Sequence, residues 1–242
     1  INENTGAILP VHLFGNSAEM KKIREIADKY NLKIIEDVAQ SFGTKFFNEP
    51  LGTIGDAGCF SFFPTKTLGA YGDGGAIVTN NEEIYKKCKM IKNHGAETKY
   101  LNEVFGYNSR LDSIQASILN LKLAKIDLWI DKRITAGKFY DKKLSSIEGI
   151  ELLDNSYSTY NYYSLFIKEG RRDEFNNYLG EKGVSSAIYY PRTLPSLPAH
   201  GIKEKFSQAE KACEEIISIP IWPNIKKAQL DYICKVTQDF FS

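Results

Sequence analysis

The sequence predicts an α/β protein with a mainly parallel sheet and helices on both faces, followed by a smaller α+β domain, on three observations. Short apolar strands alternate with an amphipathic helix early in the chain, the order that a parallel sheet requires. Residues able to do chemistry fall just past the ends of those strands, where open α/β sheets bind their ligands. Beyond Gly149 the order changes to strand, helix, strand, helix, which marks a second domain.

Ala7-Ile8-Leu9-Pro10-Val11 reads as the first strand. Asn16, with Glu19 three residues on, reads as a helix N-terminus; Met20, Ile23, Ala27 and Tyr30 then share one face, and Asn31 is the expected stop. Lys33-Ile34-Ile35-Glu36 forms a strand that leaves Asp37 at its carboxyl end and Gln40 three residues later. Cys59-Phe60-Ser61-Phe62-Phe63 is a buried strand that ends at Pro64, which cannot donate to a ladder. Lys66 sits just beyond it. Gly72-Asp73-Gly74-Gly75 supplies residues that tolerate positive φ at a tight turn, and Ala76-Ile77-Val78-Thr79 is the next buried strand. A lysine held this way is partly desolvated, which lowers its pKa and makes it a usable amine nucleophile. Taken alone, the same lysine could be an ordinary turn residue.

Asn81–Asn93 reads as a polar helix whose Lys86, Lys87, Lys89 and Lys92 form a solvated face, and His94–Tyr107 as a looser stretch. Asp112 with Gln115 repeats the capping pattern ahead of an apolar stripe of Ile114, Ile118 and Leu121, in a helix running as far as Trp129. Ile134–Leu144 is a further amphipathic segment. The strands of the second half are Tyr162–Ile167 and Val184–Tyr189, and its helices lie near Asp173–Lys182, Ser207–Ile217 and Lys226–Phe240. His12 and His94 read as packing residues rather than catalysts.

Composition narrows the function classes. Apolar residues at 43% and aromatics at 12% describe an ordered globular chain, and 31 basic against 30 acidic residues leave a net charge of +1. No global field draws it to nucleic acid or to an anionic membrane. Cys59, Cys88, Cys213 and Cys234 lack CxxC spacing, so neither a metal knuckle nor a disulfide framework is expected. No apolar run reaches transmembrane length and the start lacks a signal peptide's pattern, so a cytoplasmic protein is expected. With no initiating methionine and a strand almost at once, the chain is expected to begin inside something larger.

Several ordered stretches resemble one known family. They are Pro10-Val11-His12-Leu13-Phe14-Gly15, Glu36-Asp37-Val38-Ala39-Gln40-Ser41-Phe42-Gly43, Ser61-Phe62-Phe63-Pro64-Thr65-Lys66, Gly72–Thr79, Asn93-His94-Gly95, and Asn108-Ser109-Arg110-Leu111-Asp112 with Gln115-Ala116. The chain resembles the DegT/DnrJ/EryC1/StrS group of pyridoxal phosphate (PLP)-dependent sugar aminotransferases of fold type I. The resemblance implies that residues 1–130 are part of the large PLP-binding domain and residues 131–242 the smaller C-terminal domain. It implies that Lys66 holds PLP as an internal Schiff base and moves the proton, and that Asp37 pairs with the pyridine nitrogen. Gln40 is then beside the phenolic oxygen, Ser61 on the phosphate, and Asn108 on the phosphate of a neighbouring subunit in a homodimer with shared active sites. The implied reaction moves an amino group, with glutamate as the expected donor, to a keto group of a nucleotide-linked sugar. Tyr189, Tyr190 and Arg192 are candidates for the sugar-nucleotide site, with plain packing the alternative for the tyrosines. Pro195 stands where many members carry histidine, which leaves the sugar open. The alternative function is a non-catalytic binding or regulatory remnant of such an enzyme.

Overall fold

The computed structural model describes residues 1–202 and 204–242, and the chain forms two compact units, Ile1–Ile130 with Ser156–Asn161 and Asp131–Asn155 with Tyr162–Ser242. In the first unit β1 (Ala7–Ile8), α1 (Met20–Tyr30) and β2 (Lys33–Asp37) make the opening strand-helix-strand unit. A hairpin of β3 (Lys45–Phe46) and β4 (Glu49–Pro50) leads to β5 (Ala57–Ser61) and β6 (Gly75–Val78). β1, β2 and β5 run parallel, β6 closes the edge antiparallel, and the order is β1-β2-β5-β6. α2 (Glu82–Ile91), the hairpin β7 (Ala96–Thr98) and β8 (Leu101–Asn102), α3 (Ser113–Leu123) and the start of α4 (Ile126–Leu144) follow. The α/β class and the mainly parallel sheet are those the sequence predicts.

The expected punctuation holds in part. Asn31 ends α1 in the left-handed conformation at φ 51°, and Asn81 caps α2 by accepting from Glu83 N at 2.9 Å and Ile84 N at 3.1 Å. The other two capping patterns are not used as caps. α1 starts at Met20 without a side-chain cap, and at α3 Gln115 Oε1 accepts from Tyr71 N at 2.8 Å instead. The helix expected to reach Trp129 is two helices, because Lys125 N turns back to Lys122 O at 2.9 Å. β6 is not buried: Ile77 is 53% exposed on an edge strand. Gly72, Gly74 and Gly75 are absent from the residues with positive φ. Close approach is what requires glycine there, since a Cβ on Gly75 would lie 2.7 Å from Phe60 O.

The core of this unit joins Met20 and Ala27 of α1 to Ile34, Val38, Phe46 and Leu51. Beside it lies a fully buried polar pair, His12 and Glu36. His12 Nδ1 accepts from Ala18 N at 3.1 Å, so the ring takes the Nε2–H tautomer and donates to Glu36 Oε2 at 3.0 Å. The Glu36 carboxylate also accepts from Gly52 N, Ile54 N and Gly55 N, each at 2.8 Å. Burial by itself raises the pKa of Glu36, but the bonds from His12, Gly52, Gly55 and Ile54 together outweigh it and hold the group below its ordinary value.

In the second unit α4 continues, and β9 (Ile150–Leu152), β10 (Tyr163–Ile167) and β11 (Ile216–Ile219) form an antiparallel sheet in the order β11-β10-β9. α5 (Arg172–Glu181), α6 (Ser207–Glu215) and α7 (Lys227–Phe241) complete it. Two expectations are corrected. Ile216-Ile217-Ser218-Ile219, expected to finish a helix and lead out of it, is a strand buried at every residue, as suits a β-branched run. Val184–Tyr189 is not a strand: only Ala187 bridges to Ser218. Tyr140 is fully buried, donates to Pro220 O at 2.9 Å and packs on Tyr163 at 4.7 Å between ring centroids.

Glu36→Gln replaces two acceptor oxygens with one and sets an amide N–H against backbone donors, so it should cost about 2–4 kcal/mol of stability, measured by denaturant unfolding at pH 7. Because the folded pKa of Glu36 lies below its unfolded value of about 4.3, its contribution is complete above that pH and is lost as pH falls through the folded value. The difference between parent and variant should therefore shrink below about pH 4.

Candidate active site

Three chain segments meet at the carboxyl ends of β2 and β5. The backbone of Asp37 is tied on both sides: its N–H bonds Pro10 O at 2.9 Å, its carbonyl accepts from His12 N at 3.0 Å, and it pairs in register with Cys59. Asp37 Oδ1 accepts from Ala39 N at 2.9 Å, closing the turn after the strand. Among the described residues Oδ2 has no hydrogen-bond partner, so one carboxylate oxygen is left to receive a donor from a ligand.

Gln40 is buried, and its Oε1 accepts from Phe14 N at 2.9 Å. That bond orients the amide and makes Nε2 its donor end. Phe14 and Gly15 hold φ of 61° and 104°, a turn the sequence reading did not single out. At Gly15 only glycine fits, because a Cβ would lie 2.7 Å from Asn161 N and 2.8 Å from Tyr160 N. The signal for it was present in the Leu13-Phe14-Gly15 stretch, but the partner lies far along the chain.

Ser61 ends β5 half-buried, and its Oγ accepts from Phe63 N at 3.3 Å. Lys66 follows in a turn closed by Lys66 N to Phe63 O at 2.9 Å. The loop is then returned to the strand end by Ala70 N to Phe62 O and Phe62 N to Gly74 O, both 2.8 Å. Two side chains on one face of α3 hold its far side: Gln115 on Tyr71 N, and Lys122 Nζ on Gly69 O with the ammonium 4.5 Å from the Tyr71 ring centroid. Half-burial pulls the pKa of Lys66 down, and the charge of Asp37 partly opposes this. The two groups thus act on each other electrostatically, and burial prevails.

Asn108 lies elsewhere. It is exposed and pairs as a bridge with Asn93, linking two stretches that the sequence presents separately. Arg110 Nη1 donates to Asn93 Oδ1 at 3.2 Å and to His94 Nε2 at 2.9 Å, so both residues preceding Gly95 grip the Asn108 segment. Gly95 is required by contact, since a Cβ there would fall 1.7 Å from Val104 O. Tyr189, Tyr190 and Arg192 belong to the second unit; Tyr189 packs on Tyr162 at 4.7 Å, while Tyr190 and Arg192 are exposed.

The carboxylate with a free oxygen, the amine with a lowered pKa and the oriented amide form a donor and acceptor set that suits a pyridine ring carrying an aldehyde and a phenolic oxygen. The family model described as the DegT/DnrJ/EryC1/StrS aminotransferase family matches residues 1–238. The chain is 40% identical over 250 residues to a protein named pleiotropic regulatory protein from Geobacillus stearothermophilus, covering 100% of this chain and 67% of that one. It is 36% identical over 234 residues to a dTDP-3-amino-3,4,6-trideoxy-alpha-D-glucose transaminase of Streptomyces venezuelae, covering 95% and 62%. The crystal structure of S. venezuelae DesV in complex with a ketimine intermediate superposes with a TM-score of 0.94 at 32% identity, covering 100% of this chain and 67% of that one. The chain therefore spans about two thirds of the length of these relatives.

A Cβ on Gly69 would lie 2.5 Å from Pro64 O, whereas one on Gly6 meets nothing within 4 Å. Gly69→Ala should destabilise the chain by about 1–3 kcal/mol and Gly6→Ala by less than about 0.5, compared by thermal unfolding. Equal melting of the two variants would contradict the packing assigned to the lysine loop.

Proposed function

The chain belongs to the DegT/DnrJ/EryC1/StrS aminotransferase family, and from that premise we propose that it works as a PLP-dependent aminotransferase on a nucleotide-linked keto sugar. The observation that carries the reading is the pairing of Asp37 and Lys66 at adjacent strand ends, one with a free carboxylate oxygen and the other with a depressed amine pKa. Residues 1–130 would supply part of the cofactor-binding domain and residues 131–242 the smaller domain.

PLP, when bound, supplies an electron sink conjugated to the reacting carbon. Asp37 Oδ2 would accept from the pyridine N–H and, being anionic, hold that proton in place. Gln40 Nε2 would donate to the phenolic oxygen, in the orientation that Phe14 N imposes. Ser61 Oγ–H would donate to the phosphate. Lys66 Nζ would hold the cofactor covalently and, once released, take the proton from the substrate carbon and return it to the cofactor side. Its half-burial favours the unprotonated amine that both tasks need. Glutamate is the proposed donor. Tyr189, Tyr190 and Arg192 are proposed to meet the sugar nucleotide, with the guanidinium on a phosphate.

A homodimer is part of this reading. α3 turns Gln115 and Lys122 toward the lysine loop and leaves Ile114 and Leu121 exposed at 73% and 75%, and Phe105, on the segment before α3, is exposed at 104%. Apolar surface of that kind is what a second copy would cover. Asn108, on the same exposed segment, would then reach the partner's phosphate. The cytoplasm is the proposed location, in keeping with four free thiols. Among the described residues no helix is long and apolar enough to cross a membrane.

A second reading is favoured by one observation: the 40% identical relative is named a regulatory protein. On that reading the chain binds without turning over. Addition of PLP, borohydride reduction and peptide mapping separate the two. Visible absorbance with the label on Lys66, and amino transfer from glutamate to a keto-sugar nucleotide, are expected of the enzyme; no label at Lys66 would sink it. Lys66→Ala should lower kcat by at least about 10²–10⁴-fold, and near-normal turnover in that variant would contradict its role. Leu121→Asp should convert a dimer to a monomer by light scattering, with unchanged mass in both proteins overturning the assigned interface.

A further inference from the structure

Lys66 is the residue on which the proposed chemistry turns, and its own backbone accounts for only part of its placement. The bonds from Ala70, Gly69 and Tyr71 hold the far half of the loop. At the near half, immediately after Lys66, the fixed point is a side chain. Thr67 is buried at 9% exposure, and its Oγ1 donates to Oδ1 of Asn161, itself 4% exposed, at 2.8 Å.

Asn161 comes from a distant part of the sequence. It closes the segment Ser156–Asn161, which belongs to the first compact unit although the residues on either side of it belong to the second. That segment is docked on the Gly15 turn: Thr159 N donates to Gly15 O at 3.0 Å, and Thr44 Oγ1 lies 2.8 Å from Gly15 O and 2.9 Å from Thr159 Oγ1. The same turn positions Gln40 through Phe14 N. One chain of buried contacts therefore runs from the Gln40 turn through Gly15, Thr159 and Asn161 to the residue next to Lys66.

We propose that Thr67 and Asn161 are a positioning pair that keeps the Lys66 turn closed, so that the amine stays half-buried beside Asp37. The proposal rests on the reading of Lys66 as the reacting amine. Its mechanism is local. A Thr67 hydroxyl on Asn161 Oδ1 resists the rotation that would carry Lys66 Nζ into bulk water, and hydration of the amine favours the ammonium form. Asp37 is the charged group that acts on Lys66 here, and it pulls in the ammonium direction already, so opening the turn removes the opposing effect of burial.

The experiment is competitive acetylation of the amines across a pH series without added PLP, with each lysine followed by peptide mass spectrometry. In the parent, Lys66 should label with a midpoint below that of an ordinary lysine. Thr67→Val keeps the shape and removes the donor, and should raise the midpoint by about half a unit or more, a change in labelling of roughly threefold at fixed pH. Thr67→Ser keeps the hydroxyl and should return the midpoint to the parent's, a rescue that general loosening of the fold would not give. Asn161→Ala tests the pair from the other side and should match Thr67→Val. If Thr67→Val does not fold, Asn161→Ala against Thr67→Ser decides the question alone. A parent-like Lys66 midpoint in a folded Thr67→Val or Asn161→Ala variant overturns the proposal. The readout needs no cofactor, so failure of PLP labelling with a shifted midpoint would reject the enzymatic reading and leave the pair standing, and the reverse outcome would reject the pair alone.

Discussion

The structure of the first unit depends on a carboxylate with nowhere to go but inward. Glu36 is fully buried in β2, and a buried anion is tolerated only when its acceptors are filled. Three backbone amides of the Leu51–Gly55 loop and the His12 ring fill them. The cost of burying the charge thereby becomes a constraint that draws two loops onto one strand. Asp37 is the next residue. Its backbone is fixed by Pro10 and His12 on one side and by Cys59 on the other, and it inherits the rigidity that Glu36 imposes.

The lysine loop shows the same economy in a different form. Between Phe62 and Gly74 the chain leaves the sheet and returns to nearly the same point, so its interior is crowded with backbone. Gly69 allows the loop to close on Pro64, and Gly75 allows the next strand to begin against Phe60. α3 contributes a polar face to hold that loop and an apolar face that stays exposed. A helix divided in this way places the lysine loop with one face and leaves Ile114 and Leu121 exposed on another.

Much of the fold was legible because local chemistry and tertiary demand agreed. Asn31 ends a helix in the left-handed conformation, Asn81 begins one with its side chain, and Lys33–Asp37 carries the apolar run of a central parallel strand. Where they disagreed, the sequence reading failed for identifiable reasons. Gln115 had the spacing of a capping residue but bonds Tyr71 across the fold. The glycines from Gly72 to Gly75 serve contact rather than φ, and no sequence window contains the atoms they avoid. Ile216 and Ile217 read as the end of a helix, but with Ser218 and Ile219 they form a strand buried at every residue.

By itself the sequence determined which residue types lie in and beyond the strands: a carboxylate after one strand, a hydroxyl within another, and an amine in the loop beyond it. It determined this because strand, turn and helix signals are local, and because the order of elements limits where such residues can emerge. Only the tertiary structure decided what state those residues adopt. The orientation of the Gln40 amide and the half-burial of Lys66 each depend on groups far along the chain, from Phe14 to Asn161. Hydrogen-bond direction and desolvation are properties of an enclosure, and an enclosure exists only when distant segments have closed around it.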